Sequence, residues 1–112
     1  MDTISLVLPS KPQYVTTLRL VTASVAQMLH FDIEAVEDLR VCISESVNYL
    51  LPYNEELKVR FDASDEELRI IIAANYEEAE SDDQELHRMI LESLMTEVDY
   101  REGNITLVKK LS

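Results

Sequence analysis

The stretch Val36–Leu51, VEDLRVCISESVNYLL, constrains this chain most, because Val36, Leu39, Ile43, Val47 and Leu50 step by three or four and line one helical face. It predicts a helix that turns that face inward, with Val41 and Cys42 widening it. Glu45 is then a lone carboxylate in the second half of the helix, with Val41 and Tyr49 one turn away on either side. An acid in that place has two readings: a general base or metal-linked acid in a site, or a partly exposed glutamate whose stem packs while its head reaches water.

A chain of 112 residues has room for one two-layer core, so a single domain over residues 1–112 is expected. No apolar run approaches the roughly 20 residues that span a bilayer, and the first residues lack the basic start of a signal peptide. A soluble cytoplasmic protein with no membrane contact is the expectation. The one cysteine, Cys42, has no internal disulfide partner and lies on the apolar side of the helix, as a small buried hydrophobe would.

Twenty-two acids against ten bases give a net charge of −12, and the bases are scattered from Lys11 to Lys110. Direct nucleic-acid binding needs a basic track along the phosphates, so it is not expected. An acidic surface suits a basic protein partner. The chain also has one glycine, Gly103, where average usage of about 7% would give roughly eight. Phosphate cradles need backbone approach that glycine permits, so neither a Walker-type loop nor a dinucleotide fingerprint can be built here.

The remaining elements follow from pattern. Thr3–Leu8 alternates as a strand that Pro9 ends. Ser10 and Gln13 have capping-box spacing, with Pro12 in the first turn of a helix running to about Leu29 on a stripe of Tyr14 or Val15, Leu18, Val21, Val25, Met28 and Leu29. Asp32 is placed to cap the central helix and Pro52 to stop it. Leu57–Ala63 alternates, and Leu68–Ala74, LRIIIAA, is apolar nearly throughout, so the two form a hairpin with the second as the central strand. Asn75–Glu85 is dominated by acids and predicts a solvated loop. Leu86, Met89, Ile90, Leu94 and Val98 predict a third helix with His87 and Arg88 on or near its polar side. Val98–Tyr100 and Ile105–Leu111 then make a terminal hairpin that turns at Arg101–Asn104. The order β-α-α-β-β-α-β-β implies an α/β two-layer sandwich, its mixed, mostly antiparallel sheet covered on one face by three helices.

From LPSKPQYVTTLRLVTASVA through DIEAVEDLRVCISESVNYL, and again at LESLMTEVDY, the chain resembles the anti-sigma-factor serine kinases of the RsbW type, members of the histidine kinase-like ATPase superfamily. The resemblance implies a Bergerat-type fold, a homodimer, and a protein partner such as a sigma factor or an anti-sigma antagonist. In that family a helical glutamate is the general base and an asparagine four residues later holds magnesium. Glu45 matches, but Tyr49 stands four residues on, and Asn48 is one place early, about 100° around the helix. Ala74 stands where the adenine-reading aspartate would be, followed by Tyr76, and the glycine-rich turn before the third helix is replaced by Gln84, Glu85, Leu86 and His87.

A triphosphate at the start of that helix would also meet Asp82, Asp83 and Glu85. The resemblance thus implies a regulator with a vestigial base at Glu45, degenerate site positions Asn48, Tyr49, Ala74, Tyr76, Glu85 and His87, and no metal or cofactor. The alternatives are a working kinase using ATP and magnesium, with Glu45 as base and Asn48 on the ion, and an acidic α/β interaction module unrelated to sigma-factor control. In the first reading Tyr49 and Tyr76 fill the nucleotide's space.

Overall fold

The computed structural model describes residues 2–73, 82–101 and 103–111. Its elements run β1 (Asp2–Pro9), α1 (Gln13–Met28), α2 (Ile33–Leu50), a 3-10 turn (Leu51–Tyr53), β2 (Glu56–Ala63), β3 (Glu67–Ala73), α3 (Asp82–Leu94), β4 (Glu97–Arg101) and β5 (Asn104–Lys110). The five strands form one sheet in the order β1-β2-β3-β5-β4. All four pairings are antiparallel, which corrects the mixed sheet expected from the element order. Strand β3 is central, as its apolar run predicts.

Alternation decides which face is covered. Leu57, Val59 and Phe61 on β2, Leu68, Ile70 and Ile72 on β3, and Ile105 and Leu107 on β5 are buried together with α1 and α2 side chains. Register stacks these residues across the sheet, Phe61 opposite Ile70 and Ile70 opposite Leu107. The opposite face carries Lys58, Arg60 and Arg69, all exposed. The core therefore lies between one sheet face and the helices, and α2 is its spine: Val36, Leu39, Cys42, Ile43, Val47 and Leu50 are all buried.

Local chemistry sets the boundaries. The Asp32 side chain accepts from the Ala35 N–H at 2.8 Å, fixing the start of α2. Just before it, His30 has φ 64°, a left-handed turn that reverses the chain between α1 and α2. Pro52 lies in the 3-10 turn that ends α2, and Asn54 Nδ2 donates to the Leu50 carbonyl at 2.8 Å. Gly103, at φ 80°, sits in the β4–β5 turn, where its lack of a Cβ is needed.

Three expectations are corrected. Ser10 does not cap α1; Pro12 is the N-cap residue, and the Ser10 hydroxyl donates instead to the Leu51 carbonyl at 3.1 Å, tying the α1 entry to the α2 exit. Met28 is 62% exposed, because the buried row of α1 is Leu18, Thr22, Val25 and Ala26, and it is Phe31, beyond the helix, that is buried. Val41 is 40% exposed while Cys42 is buried, so the inward face of α2 is narrower than its composition suggests.

Candidate functional site

The side chains singled out on α2 meet the first half of α3. Glu45 and Tyr49 are one turn apart and point from α2 toward α3. The α3 residue between them is His87, 6% exposed, with Nδ1 at 3.6 Å from Glu45 Oε2. Its ring lies stacked on Tyr49 with centroids 5.0 Å apart and planes at 23°. Tyr49 continues to Tyr53 at 6.1 Å in a tilted contact. At 3.6 Å the contact is longer than a hydrogen bond, and it becomes an ion pair only when His87 takes up a proton.

His87 was expected on the polar side of its helix and is instead a buried residue. Leu91 and Met95 share its face and are buried, whereas Leu86 and Met89 are 57% and 60% exposed. The inward side of α3 thus holds His87 and Leu91, each one residue past the expected Leu86 and Ile90, with Leu94 of the expected row partly buried beside them. The helix ends at Leu94, short of the expected end near Val98, and Val98 lies in β4, where the hairpin strand Val98–Tyr100 was expected.

Burial lowers the pKa of His87 because the charged imidazolium would lose its hydration; the Glu45 carboxylate opposes this, and Arg88 adds to it. His87 Nε2 is buried without a hydrogen-bond partner among the described residues, which also favours the uncharged ring. Cys42, one turn before Glu45, has its thiol pushed up to about 12, first by burial and then by Asp38. A thiol held so far from ionisation is packing rather than a nucleophile.

At the other end of the seam sits a residue that sequence reasoning missed. Lys109 on β5 pairs with Asp38 of α2 at 3.2 Å and donates to the Leu94 carbonyl at the C-terminus of α3 at 2.6 Å. A cation there complements the negative end of the helix dipole and ties two helices to the sheet. Of the remaining candidates, Glu45 has a side chain 41% exposed, Asn48 is exposed, and Glu85 is exposed at the start of α3. Ala74 and Tyr76 lie outside the described residues. Among the described residues no cluster of three or more His, Cys, Asp and Glu side chains is placed to hold a metal ion, and no helix is long and apolar enough to cross a membrane.

The five-stranded antiparallel sheet with its three helices has the ATPase-like fold of a solved RsbW domain. A crystal structure of the RsbU and RsbW domains of a Mycobacterium tuberculosis protein superposes with a TM-score of 0.75 at 14% identity, covering 98% of this chain and 32% of that one. No protein-family model matches. The chain is similar to the serine-protein kinase RsbW of Oceanobacillus iheyensis, 36% identical over 78 residues, 64% of this chain and 49% of that protein. The RsbW proteins of Bacillus velezensis and Bacillus subtilis are 32% and 28% identical over 79 and 78 residues. Over about two thirds of its length the chain is thus similar to RsbW serine-protein kinases, and it spans about half the length of the curated relatives it matches.

Proposed function

We propose that this protein is a protein-binding regulator of the anti-sigma-factor type that has given up nucleotide binding and phosphate transfer, and that it acts as a homodimer on a sigma factor or an anti-sigma antagonist. One observation carries the reading: the seam into which Glu45 projects is filled by protein, with the His87 ring stacked at 5.0 Å on Tyr49 and set against the Glu45 carboxylate. In the active relatives that carboxylate must face a substrate hydroxyl and a magnesium-bound nucleotide. Here Tyr49 takes the place of the magnesium ligand, and Asn48 points away into solvent. On this reading the residues present do not fit ATP and magnesium.

A second reading, an active serine kinase, draws support from the names of the relatives and from Glu45, which keeps a side chain 41% exposed. Thermal unfolding separates the two. A ligand that binds only the native state adds RT ln(1 + [L]/Kd), about 2.7 kcal/mol at a hundredfold excess, which moves Tm by about 10 °C in a domain of this size. Millimolar ATP with magnesium is expected to leave Tm unchanged. A rise of several degrees, together with phosphate transfer that Glu45→Ala abolishes, would establish the kinase instead.

A further inference from the structure

Helix α3 is apolar on both sides. Its inward row, His87 and Leu91, is spent on the core, yet Leu86 and Met89 stand 57% and 60% exposed on the other. Ile90, one turn after Leu86, is half-buried. Across the seam, Val41 flanks the α2 row Asp38–Glu45 on its solvent side and is 40% exposed. Leu86 and Met89 on α3 and Val41 on α2 thus leave apolar surface exposed on the outward sides of two helices that pack against each other.

The charge around them is one-sided. Helices α2 and α3 carry the acids Glu34, Glu37, Asp38, Glu45, Asp82, Asp83, Glu85 and Glu92 against two arginines. At the far end Arg40 pairs with Glu37 at 2.9 Å and Lys109 with Asp38 at 3.2 Å, while the Arg88 guanidinium lies 4.7 Å from the Tyr100 ring centroid, toward the sheet, so Glu45 and Glu85 are the acids left near Leu86. Exposed aliphatic side chains set among carboxylates suit a ligand that is apolar along one stripe and cationic at its margins.

We propose that the outer rim of the α2–α3 seam, centred on Leu86 and Met89, is a docking surface for a basic amphipathic helix of a partner protein. The proposal rests on the protein-binding reading above and adds to it the surface and the chemistry of what lies there. Lysines or arginines flanking the partner's apolar stripe would face Glu45 and Glu85, and its aliphatic residues would cover Leu86, Met89 and Val41.

The test uses two synthetic helical peptides with leucine at the same heptad positions, one with lysine and one with glutamate elsewhere, titrated into the labelled full chain. The leucine–lysine peptide should shift amide resonances of α3 and of α2 around Val41 and Glu45, and the leucine–glutamate peptide should not bind. Leu86→Asp with Met89→Asp, both at exposed positions, should weaken the first peptide at least tenfold, whereas Leu20→Asp on the exposed side of α1 should not. No binding, shifts spread over the whole acidic surface, or equal weakening by Leu20→Asp would overturn the proposal. The shift map in the unaltered chain decides the matter even if the double variant folds poorly. The two readings fail separately: stabilisation by ATP with magnesium overturns the loss of nucleotide binding and leaves the peptide map intact, while a map away from α3 overturns the surface alone.

Discussion

His87 has the most informative environment of any single residue here, because its protonation state and its packing are linked. Burial lowers its pKa from the ordinary value of 6.5, so the unfolded chain takes up the proton more readily than the folded one. Its contribution to stability is then complete above about pH 6.5 and is lost as pH falls through the lower folded-state value. Urea unfolding at pH 7.5 and at pH 5.5 should show the chain weaker at the lower pH. In His87→Phe, which keeps a ring to stack on Tyr49 but cannot take a proton, part of that difference should vanish. An identical pH response in the two proteins would remove His87 as its source. This residue was misread because two helical frames compete in α3. Leu86, Met89, Ile90 and Leu94 make as good a stripe as His87, Leu91, Leu94 and Met95, and only the docking of α3 on Glu45 and Tyr49 chooses between them. The presence of Leu91 and Met95 on the same row as His87 was the available signal.

Among the elements, α2 was the most legible, since its apolar period, its Asp32 cap and its Pro52 stop all agree with what forms. Asp32→Ala removes the acceptor for the Ala35 N–H, and it should cost about 1 kcal/mol. A denaturation midpoint unchanged by that substitution would mean that the α1–α2 turn, not the cap, fixes the start of the helix. Strands β2 and β3 were equally readable from alternation and from the LRIIIA run. The entry to α1 was not, because Ser10 finds a long-range acceptor, the Leu51 carbonyl, that no local spacing foretells. Nor was the Lys109 clamp, which joins residues 71 positions apart in the chain. Strand direction was also underdetermined, since element order allows either a mixed or a wholly antiparallel sheet. The site was half legible: Glu45 and Tyr49 follow from helical spacing, but their partner on α3 depends on packing.

At the scale of the whole molecule, the sheet ends in two edges, β1 and β4, that pair on one side only among the described residues. Unpaired strand edges invite association unless charge or covering elements protect them. β4, EVDYR, carries Glu97, Asp99 and Arg101 in its five residues, whereas β1, DTISLVLP, has no charge after Asp2, and Val7 is 60% exposed on it. We therefore expect β1 to be the edge used when two copies associate. Each copy carries a net charge of −12, so the pair must form against long-range repulsion that salt screens over a Debye length of about 10 Å at 0.1 M. Sedimentation equilibrium at tens of micromolar should show a species at twice the 12.9 kDa chain mass, more populated as salt rises toward about 0.5 M. Val7→Lys, which adds a charge to the edge strand, should shift the population toward monomer at every salt concentration. A single 12.9 kDa species across the salt series would rule out the homodimer, and a dimer indifferent to Val7→Lys would place its interface away from β1.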